Sequence, residues 1–115
     1  MDVTGNPWIV NAADVAGLAA NSGNGNKPGD VITISAAFFL VVWRGPVSVL
    51  QVEMQDYAAD TDIGKVARYN GVSFCDLNGA ADLETVRSGV VGWSVDGLLI
   101  PNNGITNGSI RIYHR

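Results

Sequence analysis

The chain has 115 residues, of which 47% are hydrophobic, 16% charged and 8% aromatic, and its formal net charge is -4. Intrinsic disorder is excluded, because a disordered chain is poor in apolar residues and rich in charge. Its 7 basic residues are scattered and do not form the basic footprint with which proteins contact phosphates. We therefore expect no nucleic acid among its partners.

Cysteine content and hydropathy exclude several further classes. Cys75 is the single cysteine, so no intramolecular disulfide forms, and with His114 as the single histidine no Cys/His zinc site is possible. The sequence after Met1 has neither the basic nor the apolar segment of a signal peptide, which predicts a protein not secreted by that route. The most apolar stretch, 31–43, has 13 residues against the roughly 20 of a membrane helix, so we expect no membrane partner.

The first 30 residues predict an N-terminal arm that precedes a domain spanning 31–115. Asn11 is a residue type that caps helices, and Asp14 follows at the third helical position, which predicts a short helix over 15–20. The segment 21–30 contains three Gly, three Asn and one Pro, a composition typical of a flexible linker.

The next segments are rich in β-branched residues and predict the first strands of the domain. Residues 31–34 form one strand, and 36–43 either continues it or pairs with it; the sequence leaves both open. After a turn at 44–46, residues 47–53 alternate between apolar and polar for most of their length, which predicts a strand with one solvent-facing side. We expect 36–43 and 47–53 to form a long hairpin.

Short strands separated by turns continue to the last residues. Asn70–Gly71 is a strong hairpin signal between strands at 66–69 and 72–77. Residues 81–87 fit a helical turn and a strand equally well. Three further strands are predicted at 90–95, 98–100 and 109–113. The sequence therefore predicts an all-β protein, a single β-sandwich or small barrel of about seven strands, jelly-roll-like, with an N-terminal arm.

An acidic loop is the best metal candidate in the sequence. Asp56, Asp60 and Asp62 precede Gly64, a spacing that partly matches a calcium loop. The third acidic or amide ligand is missing, however, and the position of the closing glutamate is occupied by Gly71. A solvated acidic loop is the preferred interpretation, calcium binding stays open, and we assign no metal ligand.

The sequence contains no recognisable catalytic set. Cys75 has no basic neighbour that would hold it as a thiolate, and His114 lies too close to the last residue to serve as a rigid base. Glu53 and Glu84 are the only glutamates, and nothing pairs them across a cleft. We therefore predict no catalytic residue and no cofactor-binding residue, and we expect that the protein is not an enzyme.

Three tryptophans could stack on sugars or fill the core. Trp43 and Trp93 lie within strand patterns, which favours a core or interface position, although a ligand-facing position stays open. Trp8 lies in the arm and is expected to be exposed in an isolated monomer, where a large aromatic side chain usually docks onto a partner. The predicted partner-binding residues are Pro7, Trp8, Ile9 and Val10.

Three segments carry a resemblance to a known class of proteins. They are the arm Asn6-Pro7-Trp8-Ile9-Val10, the Asn- and Gly-rich turns from Pro101 to Gly108, and the terminal strand Ser109-Ile110-Arg111-Ile112-Tyr113. With no signal or catalytic motif beside them, the chain resembles the small all-β virion proteins of tailed bacteriophages, of the head decoration or cement type. The resemblance implies a homo-oligomer, a trimer or dimer, that assembles in the host cytoplasm and binds the major capsid protein or another virion subunit.

Composition is compatible with such an assembly role. A small domain with little charge and many apolar residues has more apolar surface than a single hydrophobic core can easily bury. On this interpretation the arm docks into a groove of a neighbouring subunit, and exposed strand edges extend the partner's sheet. The alternative function is that of a carbohydrate- or receptor-binding β-sandwich module, which would present Trp43 or Trp93 beside Asp or Asn side chains.

Overall fold

A computed structural model describes residues 1–80, 85–89 and 92–115. The described residues form ten strands and one short helix. In chain order they are β1 (Trp8–Asn11), α1 (Ala12–Val15), β2 (Val31–Ile34), β3 (Ala37–Trp43), β4 (Val47–Gln55), β5 (Ile63–Arg68), β6 (Ser73–Asn78), β7 (Thr85–Arg87), β8 (Trp93–Val95), β9 (Leu98–Pro101) and β10 (Ser109–His114).

The strands form two antiparallel sheets that pack into one sandwich, as the sequence predicts. Sheet A has the order β1-β10-β4-β7, and β8 pairs with the first half of β4. Sheet B has the order β2-β3-β9-β5-β6. Within the described ranges the strand number is ten rather than about seven. Residues 8–11, predicted as part of a separate arm, form the edge strand of sheet A beside β10.

The core lies between the two sheets and follows the alternation of the strands. Sheet A contributes every second residue of β1 and β10, and sheet B contributes the matching residues of β3 and β9. Burying such side chains is the main stabilising term of a small domain. The fully buried members of this cluster are Val10, Val15, Val42, Val49, Val52, Met54, Val66, Leu98, Ile100, Ile110 and Ile112.

Sheet B also buries its opposite face. Phe39, Val41, Ala67 and Leu99 form a second apolar cluster there. Gly29 and Asp30 extend the pairing of β2 with β3, since Gly29 donates to the Val41 carbonyl and the Val41 N–H donates to the Asp30 carbonyl, both at 2.8 Å. The rest of the loop 22–30, which was predicted as a linker, passes over this face at Gly25 and forms a cover. Because both faces of β3 are buried, its sequence is a continuous apolar run instead of an alternating one.

A glycine lets this cover lie close to the sheet. Gly25 is buried, has a φ of +81°, and accepts a hydrogen bond from the Tyr69 hydroxyl through its carbonyl. A Cβ at this position would meet Tyr69 Oη and Ile32 Cγ2 at less than 3.0 Å. Only glycine fits both the left-handed backbone and the available space.

Several local predictions are confirmed and two are wrong. Asp14 accepts the Asn11 N–H at 2.8 Å, as a capping residue should, but the helix spans Ala12–Val15, so its predicted position over 15–20 is wrong. The Asn70–Gly71 hairpin joins β5 to β6. Residues 85–87 form a strand, whereas 81–84 lie outside the described residues. The predicted hairpin of 36–43 with 47–53 is wrong, because β3 lies in sheet B and β4 in sheet A, so the turn at 44–46 crosses between sheets.

The sequence left open whether 36–43 continues the strand at 31–34 or pairs with it. In the structure the two segments pair as the β2–β3 hairpin. Its two-residue turn is Ser35–Ala36, with φ values of +49° and +67°. Both positions need the left-handed conformation of a type I′ turn, which Asn–Gly supplies at little cost and Ser–Ala does not.

Replacing Ser35–Ala36 by Asn–Gly is expected to raise the free energy of unfolding by about 1 kcal/mol, because two strained left-handed residues are relieved. Urea denaturation followed by circular dichroism measures this. Ala37→Gly, one residue away in an ordinary strand conformation, is the matched control and should lower stability. Equal effects of Ala36→Gly and Ala37→Gly would contradict the turn assignment.

Candidate functional site

The predicted partner-binding segment forms strand β1 and turns two of its side chains inward. Trp8 and Val10 are 4% and 0% exposed, so the prediction of an exposed Trp8 is wrong. The indole stacks on Trp43 with ring centroids 4.7 Å apart and on His114 at 3.9 Å. Ile9 points to the outer face of sheet A and is half-buried. Of the four predicted residues, Pro7 and Ile9 keep accessible side chains.

The outer edge of β1 is already hydrogen-bonded. Asp2 and Ile9 exchange two backbone hydrogen bonds of 2.8 Å, and the Asn11 N–H donates to the Asp14 carboxylate. Strand addition needs free backbone donors along an edge. Neither of these outward-facing N–H groups of β1 is free to bind a partner strand.

A groove of about 390 Å³ opens at the end of the sandwich beside this stacked cluster. Trp43 and Trp8 form its aromatic wall, and His114 closes it through a ring nitrogen 3.3 Å from the Gly5 carbonyl oxygen. The described residues that line it include no Asp, Glu, Asn or Gln: they are Val3, Thr4, Gly5, Trp8, Trp43, Pro46, Val47, His114 and Arg115. The groove can bury an apolar group but offers few partners for hydroxyl groups.

On the outer face of sheet A, one apolar and three charged residues form a row across four neighbouring strands. Across the strands, Ile9 lies opposite Arg111, Arg111 opposite Glu53, and Glu53 opposite Arg87. Glu53 is only 3% exposed, and its carboxylate accepts from Arg87 Nε at 2.6 Å and from the Gln55 amide. A buried carboxylate needs such partners, because an unpaired buried charge is costly. The row is therefore held rigidly in place.

Two buried polar atoms on this face lack hydrogen-bond partners among the described residues. They are Ser109 Oγ and Arg111 Nε, both on β10. Ser109 is 5% exposed and lies between Asn11 and Gln55 of the neighbouring strands. Most buried polar groups in folded proteins are satisfied, so these two atoms are exceptions within this face.

A second depression, of about 360 Å³, lies where the ends of β3 and β5 come together. We call it the arginine cleft; it is lined by Arg44, Arg68, Tyr69, Asn70 and Asp96. The Arg44 guanidinium lies 4.0 Å from the centre of the Tyr69 ring, and its Nη1 donates to the Asp96 carbonyl at 2.6 Å and the Asp96 carboxylate at 3.1 Å. These contacts fix the orientation of one cation.

The acidic loop uses one of its three carboxylates structurally. Asp62 is 7% exposed and accepts the N–H groups of Ala58 and Ala59, both at 2.8 Å, and the Asn107 amide at 3.0 Å. The hydrogen bond from Asn107 lowers the pKa of the Asp62 carboxyl, and the two N–H groups lower it further. Partial burial acts in the opposite direction but does not outweigh these hydrogen bonds. This carboxylate therefore stabilises the fold at neutral pH, and that contribution is lost as the pH falls through its lowered pKa.

The geometry does not assemble a calcium site from Asp56, Asp60 and Asp62. The described residues contain no group of three or more His, Cys, Asp or Glu side chains that could hold a metal ion. Asp62 directs its oxygens at N–H donors, while Asp56 and Asp60 are exposed.

Cys75 packs in the core on β6 and is 6% exposed. Desolvation, with a smaller contribution from the neighbouring Asp76 carboxylate, raises the pKa of its thiol to about 11. A thiol held protonated in this way is a poor nucleophile at neutral pH.

The Cys75 thiol is expected to make stability fall as the pH rises from about 9 to about 11. In the unfolded chain the thiol ionises near 9.0, whereas in the folded chain it stays protonated to about 11, so ionisation favours unfolding across that interval. Urea denaturation at several pH values, compared with Cys75→Ala, isolates this effect from other titrating groups. The same alkaline loss in both proteins would contradict it.

Trp93 is half-buried and packs edge-on against Phe74, with ring centroids 5.1 Å apart. Phe74 belongs to β6 of sheet B and Trp93 to β8 of sheet A, so the pair bridges the two sheets. The contact with Phe74 favours a packing role for the Trp93 side chain over a role in ligand binding.

Comparison with known proteins does not place the chain: no family model, no curated protein and no solved structure matches it. Among the described residues, none of the helical segments has the length and apolar character needed to cross a lipid bilayer.

Proposed function

We propose that this protein is a structural component of a bacteriophage particle, which decorates and cements the capsid without catalysis. The strand order is the observation that carries the proposal. In sheet A the order is β1-β10-β4-β7, with β8 beside β4, and in sheet B it is β2-β3-β9-β5-β6. We interpret this order as a jelly-roll arrangement, in which the chain crosses repeatedly between two sheets. Jelly-roll sandwiches recur in viral capsid proteins, lectins and cupins.

The outer face of sheet A is the surface best suited to a capsid contact. Ile9 supplies accessible apolar surface at one end of the row, and Arg87 supplies a half-exposed cation at the other. Because Glu53 and its partners already hold the row in one arrangement, docking would cost little side-chain entropy.

Cementing follows from binding alone. A protein that binds neighbouring capsid subunits only when they are assembled stabilises the shell by mass action. Such a role requires a complementary contact of roughly 1,200–2,000 Å² with a polar rim. In this proposal the partner is the major capsid protein or another virion subunit, and the protein joins the particle in the host cytoplasm.

Co-sedimentation tests the proposal. The purified protein is mixed with empty heads of the phage whose genome encodes it, and bound protein is measured after ultracentrifugation. Ile9→Asp is expected to weaken binding at least about tenfold, because it places a charge in the apolar part of the contact. Thr33→Asp, an exposed change at the edge of sheet B, is the matched control and should bind as the unchanged protein does. Absence of binding by the unchanged protein would overturn the proposal.

A carbohydrate- or receptor-binding module is the second candidate. Some lectins are jelly-roll sandwiches, and Trp43 lines a groove of about 390 Å³. The lack of carboxylate and amide side chains in the described lining favours the first candidate. A glycan titration followed by tryptophan fluorescence, with Trp43→Ala as the comparison, would support the second if binding were saturable and lost in the variant.

A further inference from the structure

Some of the charged side chains of the described residues are distributed unevenly along the strand direction. β4 begins beside the turn that holds Arg44 and ends at Gln55, just before Asp56; β5 begins after Asp62 and ends at Arg68. Since β4 has 9 residues at about 3.3 Å each, these two regions lie about 30 Å apart, in a molecule with a longest extent of 41 Å. We call the region of Arg44 and Arg68 the basic end and the region of Asp56, Asp60 and Asp62 the acidic end, although Arg87 and Arg111 also lie near the latter, opposite Glu53.

Arg115 and Asp14 follow the same division. At the basic end, the Arg115 N–H donates to the Ser48 carbonyl at the start of β4. Asp14, which follows β1, lies at the acidic end. The last residue of β1 pairs with Ser109 of β10, and Ser109 pairs with Gln55 at the end of β4. Asp96 is the acidic residue of the arginine cleft, and it is paired with Arg44.

The arginine cleft retains unused donors at the basic end. Arg44 makes its described hydrogen bonds through Nη1, and no described bond uses its Nε or Nη2. Arg68 lies 5.4 Å from the Phe74 ring centre and has no ion pair among the described residues. Asn70 accepts the Val72 N–H through Oδ1, which leaves its amide nitrogen available. These donors match the oxygens of a carboxylate, which arginine binds bidentately.

The Tyr69 ring, the aromatic side chain of the cleft, has little room for stacking on a sugar. Arg44 covers one face of Tyr69, and Gly97 lies so close to the ring that a Cβ there would meet it at 2.8 Å. Recognition in the cleft must therefore come from charge and hydrogen bonds. An acidic segment of a protein suits it better than a neutral saccharide.

The acidic end of the same chain presents such a segment in a fixed shape. Two hydrogen bonds from Ala58 and Ala59 to the Asp62 carboxylate hold the turn, and the Tyr57 hydroxyl donates to the Ala80 carbonyl at 2.9 Å. Asp56 and Asp60 remain exposed on either side of two small alanines. A preordered turn loses little entropy when it docks.

We propose that the arginine cleft of one copy binds the 56–60 segment of a second copy, so that the protein self-associates end to end. Charge complementarity selects the occupant, since one end of the molecule carries the donors and the other the carboxylates. A head-to-tail contact closes into a ring if its rotation permits and otherwise extends as a filament. The inference deepens the assembly role proposed above and rests on it.

Exposed ion pairs contribute little affinity on their own and are screened by salt. Their role here is to set orientation and register, as charges commonly do in interfaces. The neighbouring groove with Trp43 and Pro46 lies at the same end and adds apolar surface to the contact. Association should accordingly weaken, but not vanish, as the salt concentration rises.

A charge exchange tests the contact. Variant one is Arg44→Glu/Arg68→Glu, and variant two is Asp56→Lys/Asp60→Lys; self-association is measured by sedimentation equilibrium at low salt. Each variant alone should dissociate at least about tenfold more readily than the unchanged protein, because like charges then meet. An equimolar mixture should associate again, since the cleft of variant one faces the lysines of variant two.

Controls separate this contact from misfolding and from net charge. Lys27→Glu/Lys65→Glu changes the net charge as much as variant one and should self-associate as the unchanged protein does. Arg68→Glu alone removes no described hydrogen bond, so it preserves the test if variant one fails to fold. A monomer at every concentration, unchanged association in the variants, or a mixture that stays dissociated would overturn the inference. Head binding by the same samples is measured separately, so failure of self-association does not count as failure of the capsid role.

Discussion

Trp8→Ala is expected to lower the free energy of unfolding by about 3–5 kcal/mol, the usual cost of deleting a buried large aromatic side chain. The indole is 4% exposed and stacks on both Trp43 and His114, so its loss leaves a cavity and removes two ring contacts. Small domains are stabilised by only about 5–15 kcal/mol. Urea denaturation followed by circular dichroism should therefore show a large shift of the midpoint.

Ile9→Ala is the matched control for this change. Ile9 is the next residue of the same strand but lies on the outer face and is half-buried, so its truncation should cost less than about 1.5 kcal/mol. A similar loss in both variants, or a negligible loss for Trp8→Ala, would contradict the placement of Trp8 in the core. It would instead restore the exposed docking side chain that the sequence suggested.

Leu99→Ala is expected to lower the free energy of unfolding by about 2–5 kcal/mol, although its side chain lies on the face of sheet B that turns away from the main core. Leu99 is 0% exposed and packs with Phe39, Val41 and Ala67. The cost should match that of Ile100→Ala, whose side chain lies on the inner face. Chemical denaturation of both variants compares the two clusters directly.

Val72→Ala serves as the exposed reference for the second cluster, since Val72 is 58% exposed. It should change stability by less than about 0.5 kcal/mol, as surface substitutions usually do. If Leu99→Ala behaved like Val72→Ala, the outer face of sheet B would not be a packed cluster, and the loop 22–30 would not cover it.

Much of the fold follows from local patterns, and the errors have physical causes. The β-branched runs and the Asn70–Gly71 turn predict an antiparallel all-β protein, because those signals are local. The Ser35–Ala36 turn escapes prediction, since its residue types do not favour the left-handed backbone that tertiary packing imposes. The turn after Trp43 was predicted to form a hairpin because a short link does not reveal whether the next strand pairs or crosses to the other sheet.

The candidate surfaces were less predictable than the fold. Sequence reasoning selected Trp8 as a docking residue, whereas its burial depends on contacts with Trp43 and His114, both distant in the sequence. The alternation over 47–53 indicates a strand with an outward-facing side at Glu53. It does not reveal that Arg111 lies opposite Glu53, because Arg111 belongs to the distant strand β10. The arginine cleft had no such signal, because Arg44 and Asp96 lie in two separate turns and Arg68 ends β5, and the three residues meet only in the folded sandwich.

The copy number of this chain in purified virus particles tests the proposed role most directly. Particles of the phage whose genome encodes the chain are purified through a density gradient, and the chain is quantified by mass spectrometry against the major capsid protein. The proposed function predicts a fixed, stoichiometric ratio that persists through repeated gradients. Its absence from particles, while it accumulates free in the infected cell, would contradict the capsid role.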